Sequence, residues 1–336
     1  MNPIEQNAFY ILKILVEKEI KIASGNIIKE ETDFDVEAIN DAVDYLEHLK
    51  AAKVTKRLRT SPYTFSNIQI TSNGRYLYYE IFSDQHGSII GEVAEDKVNI
   101  DIGIITALKV ELESVLEHLH GFNKKTIGSR TYFIGKINSH PKSYNIIVSK
   151  SPNAGSNDSA ALTSDLIHEF DPDYIVKIGI AGGYREEVKL GDIVISNQIY
   201  IYDYTKEYDD VSVIRPEPYR SNAILTNLTD SYLWEGKVDG EKSNVSKYVS
   251  AIATGNKVIR SEKAWKDIKK IHEKIIAIEM EGGGIATVAH NKNKGILIIS
   301  GISDYGDCKK NDNWHERASK NAAQFFFDFI KNNEIT

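Results

Sequence analysis

Short apolar runs alternate with amphipathic segments over most of the chain after residue 99. The strand-like runs are mainly apolar and occupy residues 100–105, 144–148, 174–178, 191–195 and 295–300. Runs of this kind are typical of strands that are buried on both faces of a sheet. Segments with helical spacing follow the first, second and last of these runs, at 108–119, 158–170 and 314–330. The alternation predicts an α/β domain over 100–336, with a central twisted mixed sheet flanked by helices.

The first 81 residues have a different pattern. Apolar spacing predicts helices over 4–19, 24–31 and 35–49, and two strand-like runs follow at 54–58 and 65–70. Residues 71–74 are predicted to turn. Three helices followed by a two-stranded hairpin predict a small winged helix-turn-helix domain over 1–81. The polar, glycine-containing stretch 82–99 is predicted to be a linker.

The charges of this first domain bear on whether it binds DNA. Its third helix carries the acidic side chains Asp35, Glu37, Asp41, Asp44 and Glu47. The hairpin segment carries the basic side chains Lys53, Lys56, Arg57 and Arg59. DNA binding depends on Lys and Arg that neutralise phosphates, so an acidic recognition helix argues against it. We therefore expect residues 1–81 to contact a protein partner or to mediate oligomerisation, with DNA binding as the alternative.

The composition excludes several classes of protein. Of 336 residues, 41% are hydrophobic and 26% are charged, and the net charge of −7 gives no general reason to expect nucleic acid as a partner. No apolar run approaches the roughly 18 residues of a membrane span. The N-terminus lacks the basic flank and apolar run of a signal peptide, so we expect a cytoplasmic protein without membrane association. The single cysteine, Cys308, excludes an intrachain disulfide and a Cys-based zinc site.

Polar and glycine-containing motifs follow the predicted strands. They occupy residues 106–111, 179–183, 279–281 and 303–304. Ligands of α/β sheets bind outside the carboxyl ends of strands, so we expect the motifs to form one site. In Glu279-Met280-Glu281 the two carboxylates would point to opposite faces of an extended chain. We therefore expect that they do not share a site, and that Glu281 faces a ligand while Glu279 turns toward the fold.

Five motifs occur in an order that resembles the nucleoside phosphorylase/nucleosidase superfamily. They are the opening strand and acidic helix start at 102–111, the glycine segment 179–183, the strand 189–194, the ribose-binding motif 278–281 and the strand end 302–304. The resemblance covers residues 100–331 and is closest to the methylthioadenosine/S-adenosylhomocysteine nucleosidase branch. It implies the fold of that superfamily, a small-molecule purine nucleoside or nucleotide as substrate, and no metal or organic cofactor.

The resemblance also implies which residues carry the chemistry. Cleavage of a purine N-glycosidic bond needs a proton for the leaving base, a hold on the sugar and an attacking nucleophile. Asp304 matches the family's general acid, and Glu111 matches the carboxylate that activates water. Glu281 matches the residue that accepts hydrogen bonds from the ribose hydroxyls, with Met280 packed on the sugar. The other matching substrate-binding residues are Ile180, Ala181, Gly182, Ile259 and Ser303.

Hydrolysis and phosphorolysis both occur in this superfamily. The resemblance implies that its phosphorylases bring Arg residues to the phosphate, one of them near a Gly-Asp-Pro motif early in the chain. This chain has Lys109-Val110-Glu111 at that position. A carboxylate there suits water and repels phosphate, so hydrolysis is favoured. A purine nucleoside phosphorylase remains an alternative. Another is a non-catalytic nucleotide-sensing or scaffold protein that signals through the winged helix.

The chain departs from the nucleosidases at three positions around the expected site. Ile180 replaces a Ser in the glycine segment, and Ser300 replaces an Arg four residues before the catalytic Asp. Both family residues help to organise the water site. Val258 stands where the family has an aromatic residue that stacks on the base.

Basic residues occupy the region that corresponds to the apolar 5′ pocket of the nucleosidases. Lys206, Arg215, Arg220 and Arg185 are predicted to meet 5′ phosphates, for which Arg has bidentate geometry; ordinary surface cations are the alternative. The hypothesis is a purine nucleotide substrate such as ATP or dATP. Superfamily members with extra N-terminal domains include nucleotide-degrading effectors of bacterial antiphage systems. The resemblance also implies at least a homodimer, whose partner helps to close the 5′ pocket.

Overall fold

The chain divides into two compact units, Met1–Asp96 and Lys97–Thr336. The computed structural model describes residues 2–18, 20–56, 61–82, 99–119, 121–139, 142–210, 212–238, 241–242, 244–307 and 313–335. Most of the linker predicted over 82–99 lies outside these residues, as do Arg57, Arg59 and Cys308. Among the described residues, none of the helices combines the length and the apolar character that crossing a membrane requires.

Among its described residues, the first unit contains four helices and one two-stranded sheet. In chain order these are α1 Pro3–Glu17, α2 Gly25–Thr32, α3 Val36–His48, β1 Ala52–Thr55, β2 Asn67–Ile70 and α4 Ser72–Phe82. The first three helices have side-chain N-caps: Asn2, Ser24 and Asp35 each accept a hydrogen bond from a backbone N–H of the first turn. β1 and β2 pair antiparallel, from Ala52 opposite Ile70 to Thr55 opposite Asn67. The winged-helix assignment of this unit stays a prediction.

The turn predicted over 71–74 is wrong, because these residues begin a helix. The Thr71 hydroxyl oxygen accepts the Gly74 N–H at 3.1 Å, which satisfies one of the free donors at the start of α4. The same hydroxyl donates to the Lys50 carbonyl at 2.7 Å. The Ser-Asn-Gly composition that signals a turn also suits a helix start, and Thr71 decides between them here.

The second unit contains six helices and fourteen strands among its described residues. The helices are α5 Lys109–Leu116, α6 Ser156–Phe170, α7 Ala223–Ser231, α8 Glu262–Lys269, α9 Gly282–Asn291 and α10 His315–Asn332. The strands are β3 Ile102–Thr106, β4 Phe122–Ile127, β5 Arg130–Ile137, β6 Tyr144–Lys150, β7 Tyr174–Gly183, β8 Ile193–Ile201, β9 Thr205–Glu207, β10 Ser212–Ile214, β11 Glu217–Arg220, β12 Lys237–Val238, β13 Glu241–Lys242, β14 Lys247–Thr254, β15 Ile275–Glu279 and β16 Gly295–Asp304.

Ten of these strands form one mixed sheet, which confirms the predicted α/β architecture. The strand order is β11-β8-β14-β15-β7-β3-β6-β5-β4. β16 lies outside this linear order, because it pairs parallel with β7 and antiparallel with β8. β7, β16, β8, β14 and β15 therefore form a closed ring of paired strands. The buried aromatic side chains of α10, among them Phe325, Phe326 and Phe327, pack this helix against β16, β7 and α5.

Two strands extend further than the sequence predicts, and both extensions matter for function. The glycine segment 179–183, which was predicted to follow a strand, is the second half of β7. Gly182 and Gly183 pair with Ile278 and Ala277 of β15. β16 likewise continues through Asp304. Because these residues pair with neighbouring strands of the sheet, the motif residues have fixed positions instead of loop freedom.

Candidate active site

An open cleft lies where β3, β7, β15 and β16 end. Each residue that the resemblance assigned to catalysis or to binding of the purine ribonucleoside lines this cleft. These residues are Glu111, Ile180, Ala181, Gly182, Ile259, Met280, Glu281, Ser303 and Asp304. The sheet thus brings together residues that are up to about two hundred positions apart in the sequence.

Glu111 is held rigidly by three backbone N–H groups. One carboxylate oxygen accepts the N–H groups of Ala107 and Leu108, at 2.7 and 2.9 Å. The other oxygen accepts the Ile180 N–H at 2.8 Å. The first two bonds satisfy free donors at the start of α5, and the third ties α5 to β7. Glu111 is only 2% exposed, so it is not a solvated helix acid.

Gly179 leaves the space that the Glu111 carboxylate occupies. A Cβ atom added at this position would lie 2.3 Å from Glu111 Oε1 and 2.6 Å from the carboxyl carbon. No side chain can therefore stand at position 179 while Glu111 keeps its bond to the Ile180 N–H. The glycine segment and the acidic helix start, which are separate motifs in the sequence, are one packing unit in the structure.

Glu279 and Glu281 lie on either side of a buried lysine. The Lys177 ammonium is 3.5 Å from Glu279 Oε2 and 3.7 Å from Glu281 Oε2, and its side chain is fully buried. The expectation that the two carboxylates would not share a site is therefore wrong. Strand geometry ends at Glu279, and the chain turns at once into α9, so the alternation of faces does not continue.

The two carboxylates nevertheless make different contacts. Glu279 accepts the N–H groups of Glu281 and Gly282, at 3.0 and 2.9 Å, and so caps the start of α9. These bonds turn its side chain toward the fold, although the residue also lines the cleft. Glu281 accepts the Gly155 N–H at 2.9 Å through one oxygen. Ser159 donates to the Glu281 carbonyl at 3.0 Å, which fixes the backbone on the same side.

Burial and neighbouring charge determine the ionisation of this group. Burial raises the pKa of Glu281 to about 7, with further upward contributions from Glu279 and Glu111, while Lys177 and the Gly155 N–H oppose the rise. Burial alone would lower the pKa of Lys177, but Glu279, Glu111 and Glu281 outweigh it and raise the pKa above the usual lysine value. Lys177 is therefore a cation at neutral pH, and Glu281 is a carboxyl group that titrates near neutral pH.

Asp304 closes the cleft at the end of β16. Its Oδ1 accepts the Gly306 N–H at 2.7 Å, and the Ser303 hydroxyl lies 3.2 Å from its Oδ2. The first contact caps the local turn that Asp304 forms with Tyr305 and Gly306. Asp304 also lines the cleft, so the cap and a role toward a ligand are compatible. Only 6% of the residue is exposed.

The four cations predicted for a 5′ phosphate group do not line the cleft in the single chain. Lys206, Arg215 and Arg220 are exposed, and Arg185 pairs with Asp307. β11 runs antiparallel to β8, with Arg220 opposite Gln198, so Arg220 lies away from Tyr202, which follows β8 at the cleft. Arg220 instead lines a second, separate cleft.

Other residues of the cleft were missed. The lining also contains Leu108, Ala154, Tyr202 and His315, and Lys177 lies directly behind it. Only Lys177 had a signal in the sequence, since a lysine inside the apolar run 174–178 must find partners when the strand is buried. The described residues contain no group of three or more His, Cys, Asp or Glu arranged to hold a metal ion.

Substitution of Gly179 tests the packing of Glu111. Overpacking of this kind costs about 1–3 kcal/mol, so we expect Gly179→Ala to lower the free energy of unfolding by about that amount in chemical denaturation. In a Glu111→Ala background the carboxylate is absent, and the same substitution should cost clearly less. An equal cost in both backgrounds would contradict the packing.

Comparison with known proteins finds relatives among the nucleosidases. The 5′-methylthioadenosine/S-adenosylhomocysteine nucleosidase of Buchnera aphidicola subsp. Baizongia pistaciae is 29% identical over 236 residues, which cover 68% of this chain and 89% of that relative. The ATP nucleosidase Cap17 of Escherichia coli is 28% identical over 211 residues, 56% of this chain but only 42% of that relative. The structure of Streptococcus pneumoniae MTA/SAH nucleosidase in complex with 8-aminoadenine has a TM-score of 0.59 at 24% identity and covers 70% of this chain and 100% of that one.

The superfamily predicted from the five motifs is confirmed at the level of the whole second unit. Residues 101–331 match the family described as the phosphorylase superfamily, which is more than half of the chain. The protein belongs to the phosphorylase superfamily.

Proposed function

We propose that the protein hydrolyses the N-glycosidic bond of an adenine nucleoside or nucleotide and releases the free base. The observation that carries the proposal is the meeting of three acidic side chains, Glu111, Glu281 and Asp304, in one cleft. They come from three separate strand ends, and each type of group that the reaction needs is present. The named relatives are nucleosidases, and the protein is accordingly an N-glycosidase of the hydrolase type.

The proposed reaction uses the three carboxyl groups in turn. The bond between C1′ and the purine nitrogen breaks, and its electron pair goes to the base. Asp304 donates a proton to that base, which makes it a better leaving group. Glu111 accepts a proton from the water molecule whose oxygen bonds to C1′. Glu281 accepts hydrogen bonds from the ribose hydroxyls and so holds the sugar in register.

Water is favoured over phosphate as the nucleophile by the charge of the cleft. The carboxylates Glu111, Glu279 and Glu281 line it beside Asp304, which holds the proton for the base, whereas the cations at the described cleft are the buried Lys177 and the exposed Lys257. A phosphate ion would approach several like charges in a partly buried site. Phosphorolysis is therefore the weaker candidate.

The proposal also concerns the group at the 5′ position of the substrate. A nucleotide such as ATP or dATP is supported by the similarity to Cap17 and by Lys257 at the cleft. The four predicted cations would contribute only if a second copy of the chain or a rearrangement brought them to the cleft. A thioether nucleoside is the second candidate, because the Buchnera relative carries that name and matches over most of its length. A role as an antiphage effector depends on the nucleotide being the substrate.

A substrate panel with one matched variant tests the proposal. We expect the protein to release adenine from at least one of methylthioadenosine, adenosine, AMP, ATP and dATP, measured by chromatography. Asp304→Asn should reduce turnover by at least about 100-fold, because general acid catalysis contributes roughly 10²–10⁴-fold, and it should retain binding in calorimetry.

The control variant and the adverse outcomes are clear. Lys257→Ala should weaken turnover of nucleotides more than that of adenosine if the substrate carries a 5′ phosphate group. Turnover of Asp304→Asn at the wild-type rate would refute the acid role. Binding of a nucleotide without any base release by the wild type would favour the sensor or scaffold alternative.

For the first unit we propose contact with a protein partner instead of DNA. Lys56, one of the basic residues next to the hairpin, lies 2.9 Å from Glu47 and 3.5 Å from Asp44 of α3. Neighbouring acids therefore already offset its charge, which lowers its value for phosphate neutralisation. We expect no salt-dependent binding of duplex DNA by the full chain. Binding that is lost in a Lys56→Ala/Arg57→Ala/Arg59→Ala variant would contradict this.

A further inference from the structure

One buried cation of the cleft has no role in the reaction as described above. In the part of the chain that the structure describes, Lys177 is the only Lys or Arg that is buried, and its side chain has no exposure. It stands on β7, next to Ile105 of β3 and Ile298 of β16. A lysine in such a position costs free energy unless charged partners compensate for the loss of water, so its contacts indicate what it does.

The Lys177 ammonium contacts the cleft in three places. It donates to the Ile180 carbonyl at 3.3 Å and lies near the carboxylates of Glu279 and Glu281. The N–H of the same Ile180 residue is bound by Glu111. Residue 180, whose side chain lines the cleft, is thus fixed on its N–H side by Glu111 and on its carbonyl side by Lys177.

We propose that Lys177 is a positioning residue of the active site, which keeps Glu281 in its carboxylate form and fixes the Ile180 backbone between itself and Glu111. The inference rests on the proposed function, in which an ionised Glu281 receives the ribose hydroxyls. Without Lys177, the three glutamates would face one another with no cation among them. Glu281, which has fewer backbone donors than Glu111 or Glu279, is the one that would take up a proton.

The charged groups around Glu281 give the direction of each effect. Lys177 favours its carboxylate, whereas Glu279 and Glu111 disfavour it. Removal of Lys177 must therefore raise the pKa of Glu281, and removal of the Glu279 charge must lower it. The other titratable residues that line the cleft are Asp304, Tyr202, Lys257 and His315.

The pH dependence of kcat/KM tests the proposal. Because kcat/KM reports ionisations of the free enzyme, the wild type should lose activity as the pH falls below about 7, where Glu281 becomes protonated. In Lys177→Met this acidic limb should move up by about one to three pH units, the effect of losing an opposite charge at this distance. In Glu279→Gln the limb should move down.

A matched lysine separates this role from a structural one. Lys247 is partly buried on β14 and donates to the carbonyls of Thr229 and Asp230, with burial lowering its pKa, and it does not line the cleft. Lys247→Met should lower the melting temperature and leave the acidic limb in place. An unmoved limb in folded Lys177→Met would overturn the proposal. If Lys177→Met does not fold, Glu279→Gln decides, and a limb that stays or moves up overturns it.

A readout without substrate distinguishes failure of this inference from failure of the proposed function. The carbon-13 carboxyl resonance of Glu281, assigned by its loss in Glu281→Gln, can be titrated directly. It should titrate at higher pH in Lys177→Met and at lower pH in Glu279→Gln. Absence of base release from every substrate would refute the function alone, and an unchanged Glu281 titration would refute the role of Lys177 alone.

Discussion

A single ammonium group among three carboxylates constrains the geometry of the cleft. Lys177 comes from β7, which lies in the sheet between β15 and β3. Glu279 and Glu281 follow from β15, and Glu111 follows from β3. A cation on the middle strand is therefore the group best placed to compensate for acids delivered from both neighbours. Buried like charges without such compensation would protonate or move apart, and either change would alter the cleft.

The backbone supplies most of the remaining order. Glu111 and Glu279 accept N–H groups at the starts of α5 and α9. The hydrogen bonds that cap these helices therefore also fix the positions of the active-site carboxylates. Glu281 differs, because a single backbone N–H, that of Gly155, is bound to its carboxylate, and its ionisation responds to the charges around it. The fixed carboxylate of Glu111 suits the proposed activation of water, and the less constrained carboxylate of Glu281 suits the proposed binding of the sugar.

The sequence predicted the parts of this site that follow from pattern and resemblance. Periodicity gave the α/β domain, and the ordered motifs gave the residues that line the cleft. The prediction that Glu279 and Glu281 do not share a site was wrong, because the position at which β15 ends cannot be inferred from the sequence Glu279-Met280-Glu281. Lys177 went unrecognised since its partners are distant in sequence. In the single chain Arg220 lies away from the cleft, because β11 runs antiparallel to β8 and composition does not encode this pairing.

The identity of the nucleophile tests the central claim most directly. Base release from the best substrate of the panel can be followed with and without excess inorganic phosphate, while phosphorus-31 NMR records the sugar product. A cleft dominated by carboxylates predicts equal rates in both conditions and no new phosphate ester at C1 of the sugar. Base release that requires phosphate and yields a sugar 1-phosphate would contradict the account.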